Sequence, residues 1–356
     1  MEELVTLEEI RAARRRIAGV AVRTGIYEVD PARLKTAGVS ELPFALWIKA
    51  ESEQPIGSFK LRGAYNRIAQ LSADELGRGV ITYSSGNHAQ GVAYAARALG
   101  AKAVIVMPEN APAVKREATA ALGAEIVLVG PGSKERLAKA EELSAKYGYT
   151  MIPPYDDPAV IAGQGTCGLE IVEQLGLVGE DGAAGVGTSE NEGGVVILSP
   201  VSGGGLLSGI ATAVKLAAPD KAEVWGCEPE LAADATESFR TKTLVEWPAA
   251  QTTRTMADGL RTQSLGALNF AHVMRYVDGM VNVSEAEIEA AMRVMLAATD
   301  LVAEPSGAVT LAAALFHHAE LPKCERMAAV LSGGNIEPEL KQRLQADGGA
   351  TASARA

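Results

Sequence analysis

The stretch GVITYSSGNHAQGVAYAARALGAKAVIVMP, residues 79–108, decides the fold class. Residues 79–85 read as a strand ending in small polar residues, 87–100 as a helix stopped by glycine, and 101–108 as a second buried strand. Strand, helix, strand in this rhythm requires a right-handed crossover and therefore a parallel sheet. The rhythm continues with a helix at 111–123 and a third strand at 124–130.

Working outward, the pattern pauses and resumes. GGVVILSP (193–200) reads as a strand, followed by a glycine run, a helix over 206–217 and a strand over 222–229. Ser284 and Glu287 form a capping box before a helix that carries Met292 and Met295. Residues 327–335 form a late strand that runs into glycine. The N-terminus predicts an amphipathic helix with Leu7, Ile10 and Ile17 on its apolar side. The expectation is an α/β protein of two lobes with parallel twisted sheets flanked by helices. The larger lobe takes 1–79 and 158–356, and the smaller takes 80–157. Residues 179–194 read as a loop insertion and 346–356 as a disordered tail.

Composition narrows the function classes. At 356 residues, two domains with a buried core are expected. Acidic residues outnumber basic ones by 44 to 33, which argues against nucleic acid or an anionic membrane as partner. No apolar run approaches a membrane span or a signal core. Cys167, Cys227 and Cys324 are too few and too scattered for a disulfide framework or zinc, so buried thiols in a reducing cytoplasm are expected.

Open parallel sheets bind ligands at the carboxyl ends of their strands, and the unusual residues cluster there. Gly203, Gly204 and Gly205 let several N–H groups point at one anion at a helix start. The run is either a phosphate cup or a tight strand-to-helix turn. It is neither a Walker loop nor G-x-G-x-x-G, since Ser208 takes the sixth position. Lys60, between Phe59 and Leu61, is either a snorkelling side chain or a desolvated amine able to bond an aldehyde. A phosphate cup plus such a lysine suggests a phosphorylated aldehyde cofactor. The run SSGNH, residues 84–88, suits an amino acid's α-carboxylate; the alternative is simple N-capping by Ser85 or Asn87.

Six strings occur in order: SFKLRGA (58–64), SSGNHAQG (84–91), PAVIAGQGT (158–166), SGGGLLSG (202–209), EPSGA (304–308) and SGGN (332–335). Together they resemble the fold-type II enzymes that use pyridoxal 5′-phosphate (PLP), which are tryptophan synthase β-like. The match is closest to the threonine/serine dehydratase (ammonia-lyase) and serine racemase branch.

The resemblance implies roles. Lys60 would bond the cofactor, with Phe59 against its ring and Asn87 on its phenolic oxygen. Ser202, Gly203, Gly204, Gly205 and Leu206 would hold its phosphate. Ser332 would face the pyridine nitrogen, with Glu304 nearby. Ser84, Ser85, Asn87 and His88 would hold the substrate carboxylate, and Arg136 would approach the substrate side. Lys60 would also take the α-proton, with Ser85 on the opposite face. Racemase-like members further imply a divalent cation, Mg2+ or Ca2+, on Glu228, the Ala232 carbonyl and Asp234; the alternative is an acidic surface turn.

The implied activity is dehydration and deamination of a small β-hydroxy amino acid, L-threonine or L-serine, by a homodimer or homotetramer. A serine or aspartate-type racemase and a 3-hydroxyaspartate dehydratase are alternatives on the same scaffold. Two departures from the family pattern stand out. Little sequence follows SGGN, so a regulatory domain is not expected, and Thr262 takes the place of a serine found in racemase-like members. An NAD-dependent oxidoreductase, using the glycine turn and Glu223 or Glu228, is the reading from another class, and it leaves the Lys60 motif unexplained.

Overall fold

The computed structural model describes residues 3–111, 113–130, 132–179 and 194–353. The 179–194 insertion therefore lies, apart from its two end residues, outside the described residues.

Among the described residues, ten strands form two sheets. The larger contains β1 (Ile26–Glu28), β2 (Ala45–Ala50), β7 (Val195–Pro200), β8 (Ala222–Pro229), β9 (Gly279–Val283) and β10 (Arg326–Leu331). Their order is β1-β2-β10-β7-β8-β9, and every pairing is parallel except β1 with β2. The smaller contains β3 (Val80–Tyr83), β4 (Ala103–Pro108), β5 (Glu125–Val129) and β6 (Thr150–Met151), in the order β5-β4-β3-β6 and wholly parallel.

Parallel sheets are covered by helices on both faces, so their central strands carry near-continuous apolar runs. Every residue of β4 and of β7 is buried. In β7 the two faces alternate. Val196 and Leu198 join the core beneath the Glu285–Ala298 and Pro305–Phe316 helices, whereas Val195 and Ile197 face the Gly205–Ala217 helix. Burying each such side chain contributes about 1.5–3 kcal/mol.

One helix contact brings the site elements together. The Pro158–Gln174 helix packs on both the Lys60–Ile68 helix and the Gly205–Ala217 helix. A Cβ on Gly163 would lie 2.6 Å from the Gly63 Cα, so this approach is nearly backbone to backbone. That is the physical reason for glycines in the string PAVIAGQGT.

The N-terminal helix forms over Leu7–Ile17 and buries Ile10, Ala13 and Ile17, while Leu7 is only half-buried. The Ser284–Glu287 capping box is present. Residues 346–353, expected to lack structure, instead continue the Pro338–Ser353 helix. Leu344, buried in the main core, anchors the earlier part of that helix, from which the later turns propagate. Cys167 and Cys227 are buried and free, while Cys324 is half-buried. No helix among the described residues is long and apolar enough to cross a membrane.

Candidate active site

Lys60 opens its helix directly after a chain segment pinned to the end of β10. The Phe59 N–H donates to the Ser332 carbonyl at 3.1 Å, and the Gly334 N–H donates to the Gly57 carbonyl at 2.9 Å. Two residues on, Arg62 is fully buried and grips the Glu51 and Glu170 carboxylates, with four N···O distances of 2.7–2.8 Å. Removing one partner from such a set costs about 3–5 kcal/mol, so the first turn of this helix is rigidly held. The Lys60 amine donates to the Pro154 carbonyl at 2.8 Å and lies 5.1 Å from the Phe59 ring centroid. Burial pushes it down to about 8. About a tenth of the amine is therefore neutral at pH 7 and more as pH rises, far above an ordinary lysine, as nucleophilic and base chemistry require.

The strand β3 delivers residues 84–88. Neither Ser85 nor Asn87 caps the helix Asn87–Ala98. Gly86 is its N-cap and no side chain caps it, while the Ser84 hydroxyl accepts from the Gly86 N–H at 3.3 Å. The first-turn N–H groups thus have no intrahelical partner, which favours an anion there. His88 is buried with Nε2 3.1 Å from the Ile152 carbonyl. Burial and then the Lys60 charge push its imidazole down to about 3. It is a neutral ring with its Nε2 proton committed, so any hold on a carboxylate there falls to backbone N–H groups rather than to this side chain.

Asn87 bridges two groups from the side of the larger sheet. Its Nδ2 donates to Glu304 Oε1 at 2.7 Å, and its Oδ1 accepts from Asn335 Nδ2 at 2.7 Å. Glu304 is the N-cap residue of the Pro305–Phe316 helix and is buried. Burial, reinforced by the Asp258 charge, raises its carboxyl to about 7. Ser332 is buried beside it at the end of β10. Asn335 carried no role in the sequence reading, although it closes the SGGN string.

At the end of β7 the glycine run forms the start of the Gly205–Ala217 helix. Gly204 takes φ +96°, a left-handed conformation that glycine accepts readily, and no side chain caps the helix. Tyr155 lies against the loop: a Cβ on Gly203 would sit 2.4 Å from its ring. Ser202 Oγ and Thr262 Oγ1 share a hydrogen bond at 2.9 Å. Leu206 is buried under the loop.

The sequence reading missed the segment Pro154–Asp157, which connects these parts. Pro154 receives Lys60, and Tyr155 covers the glycine loop. The Asp156 carboxylate accepts from the N–H groups of Ala267, Leu268 and Asn269 at 3.1–3.2 Å. Asp157 caps the Pro158–Gln174 helix. Only the last signal, an Asp-Pro helix start, was legible without knowing which elements meet.

The acidic residues expected to bind a cation lie beyond β8. Glu228 is buried and accepts from the Ala235 N–H at 3.2 Å, the Thr236 N–H at 2.7 Å and the Thr236 hydroxyl at 2.8 Å. Asp234 is also buried, and its Oδ2 has no hydrogen-bond partner among the described residues. Burial and the Asp234 charge raise the Glu228 carboxyl, and burial raises Asp234 to about 7. The surface-turn alternative does not fit this burial. Arg136 is half-buried on the Ser133–Tyr147 helix, and burial lowers its guanidinium.

The donor set suits a phosphorylated aldehyde. It combines an uncapped glycine cradle for a phosphate, a partly neutral amine and a second uncapped helix start. The loop has no room for side chains at its glycines: a Cβ on Gly203 would strike the Tyr155 ring, and one on Gly204 would strike Leu265 and Asn269.

The family model for pyridoxal-phosphate dependent enzymes matches residues 30–333. The chain is 38% identical to the L-threo-3-hydroxyaspartate ammonia-lyase of Saccharomyces cerevisiae, over 82% of this chain and 83% of the relative. It is 35% identical to the serine racemase of Schizosaccharomyces pombe, over 94% and 96%. Among solved structures, a threonine deaminase from T.th. superimposes with a TM-score of 0.81 at 43% identity, covering 93% of this chain and 99% of that one.

Proposed function

The chain belongs to the pyridoxal-phosphate dependent enzymes, and from that premise we propose that it removes water and then ammonia from L-threonine or L-serine. Membership sets aside the dinucleotide reading of the glycine turn. The observation that carries the proposal is that the amine of Lys60, at about 8, is linked to the surroundings of two uncapped helix starts. His88 of one helix is near enough to feel its charge, and Pro154, which receives it, precedes the Tyr155 that covers the other.

PLP, when bound, supplies an aldehyde for the substrate amine and a ring that accepts electrons from Cα. Lys60 would bond that aldehyde in the resting enzyme and, once displaced, take the α-proton. Ser202, Gly203, Gly204, Gly205 and Leu206 would hold the phosphate. Phe59 would pack on the ring, and Asn87 would turn from Glu304 to its phenolic oxygen. Ser332, a neutral hydroxyl, would face the ring nitrogen, leaving a weaker electron sink that favours prompt loss of the β-hydroxyl. Ser84, Ser85 and the free N–H groups of the helix start would orient the substrate carboxylate. Release of ammonia and a 2-oxo acid from L-threonine and L-serine, with L-threo-3-hydroxyaspartate in parallel, tests the reading. A protein that turns over only the hydroxyaspartate would overturn the substrate choice, and the half-buried Arg136 is then the cation to pair with its second carboxylate.

A cation at Glu228, the Ala232 carbonyl and Asp234 is a further part of the proposal. Among the described residues no three His, Cys, Asp or Glu side chains cluster to hold a metal, so the backbone carbonyl would have to serve as the third ligand. The unpartnered, buried Asp234 Oδ2 supports the site, because a hard cation such as Mg2+ or Ca2+ would give that oxygen a partner. A change in melting temperature on adding Mg2+ after chelation tests it.

A further inference from the structure

Several contacts join the side of the smaller sheet to that of the larger one beside the site, the Asn335 amide on Asn87 among them, and two of them bear on how the site is held closed. The inner link is Asn87 to Glu304. The outer link is an ion pair: Lys115 Nζ lies 2.5 Å from Asp258 Oδ2, and 3.9 Å from Glu337. Lys115 sits on the Ala113–Ala121 helix, which packs against the Asn87–Ala98 helix. Asp258 opens the Asp258–Leu260 turn. The next N–H in that turn, of Gly259, donates to the Ser306 hydroxyl at 2.9 Å, in the first turn of the helix that Glu304 begins. Thr262, just beyond, holds Ser202 of the glycine loop. The contacts thus close a ring beside the site, with the glycine loop tied to it through Thr262, and Lys115–Asp258 is its outer fastening.

We propose that Lys115 and Asp258 are positioning residues whose ion pair holds the Asn87 helix against the Glu304 and glycine-loop side, keeping the two sheets closed over the reacting groups. The inner link is not available for this task throughout the cycle. The Asn87 amide, once engaged by a ligand, cannot also hold Glu304. The outer pair touches neither the glycine loop nor Lys60 and can persist while ligands come and go. Asp258 and Lys115 also act on the Glu304 carboxyl in opposite directions, the first raising and the second lowering its affinity for a proton. Opening the ring would therefore change the charge environment of Glu304 as well as the spacing.

The inference rests on the ammonia-lyase reading, and its test separates the two. The holoenzyme variants K115M, D258N and the reversed pair K115D/D258K are compared for KM and kcat, and by small-angle X-ray scattering without substrate. Each single variant is expected to raise KM about two- to fivefold, the scale of a partly exposed ion pair, with a smaller change in kcat. Each is expected to enlarge the radius of gyration, and the reversed pair should undo most of both changes. Single variants that leave KM and scattering unchanged overturn the proposal. So does a reversed pair no better than the worse single variant, or an effect of K115M that D258N lacks. If wild type releases no ammonia from any β-hydroxy amino acid, the functional reading fails, and the scattering comparison still decides the pair.

Discussion

The amine of Lys60 donates to the carbonyl of Pro154 at 2.8 Å, which fixes one end of the site to the other. Lys60 opens a helix pinned to β10, while Pro154 belongs to the segment whose next residue covers the glycine loop. A base held by a neutral carbonyl rather than a carboxylate keeps the low proton affinity that burial imposes.

Lys60→Ala is expected to lose the visible band of lysine-bound PLP and all elimination. In the wild-type apoprotein, PLP uptake should quicken as pH rises through about 8, where the amine sheds its proton. Peptide mapping after borohydride reduction checks the attachment; a phosphopyridoxyl group on another lysine would refute it.

Glu304 gives a pH signature. Its folded carboxyl titrates near 7, above its ordinary value of 4.5. The stability of the neutral form is fully present below pH 4.5 and is lost as pH rises through 7. Glu304→Gln cannot ionise and keeps an acceptor for Asn87. The apoprotein variant should be more stable than wild type by about 1–3 kcal/mol at pH 8, and equal to it near pH 4. Denaturant melts at both pH values measure this, and a constant difference across pH would exclude the assignment.

The glycine loop predicts an unequal pair of variants. Gly203→Ala meets the Tyr155 ring, whereas Gly204→Ala meets Leu265 and Asn269 and also carries φ +96°. A left-handed alanine costs about 1–2 kcal/mol before any contact is counted. Both should weaken PLP binding at least tenfold. Adding Tyr155→Ala should recover binding in the first variant and not in the second. Equilibrium dialysis of the four proteins decides whether Tyr155 is the wall the structure indicates.

At the acidic pair, Asp234 titrates near 7 where its ordinary value is 3.8, so its ionisation opposes folding once pH passes that range. Asp234→Asn should therefore stabilise the chelated protein at pH 8. It should also abolish any stabilisation by Mg2+, because only a ligand that binds the folded state raises its melting temperature. A Mg2+ response retained in full by the variant would move the cation elsewhere.

The sequence was most legible where one physical rule dominates. Buried parallel strands such as β4 and β7 are apolar throughout, and an uncapped glycine run leads into a helix, so both could be read directly. Legibility failed where a residue's meaning depends on a distant partner. β2 was missed because ALWIKA contains Lys49, which is buried and paired with Glu170 at 2.6 Å. β1 and β6 have three and two residues, too few for any period to appear. Tyr155 and Asp156 look like an ordinary loop, and their role exists only once the Gly203 loop and residues 267–269 arrive beside them. The alternative of capping by Ser85 or Asn87 does not hold, because Gly86 is the N-cap residue and no side chain caps the helix, which leaves Ser85 without that duty.

That release of Ser85 sharpens the remaining question, whether elimination is accompanied by racemisation. Lys60 can take only the α-proton that points toward it. For an L-amino acid that suffices, since loss of the β-hydroxyl needs no acid on the far side of Cα. Racemisation does need one, and Ser85 is the hydroxyl proposed for that face. A serine hydroxyl is a weak acid, so its neighbours must assist the transfer. Ser85→Ala should keep substantial elimination of L-serine and L-threonine, within about tenfold of wild type, because the helix-start N–H groups still hold the carboxylate. It should lose turnover of D-serine and any appearance of the opposite enantiomer. Ser85→Gly separates the lost hydroxyl from the added methyl group: if both variants behave alike, the hydroxyl is responsible. The readouts are ammonia release from each enantiomer and chiral chromatography of the unreacted amino acid. Equal loss of L- and D-serine turnover in both variants would assign Ser85 to carboxylate binding instead and leave the far face without a proton carrier.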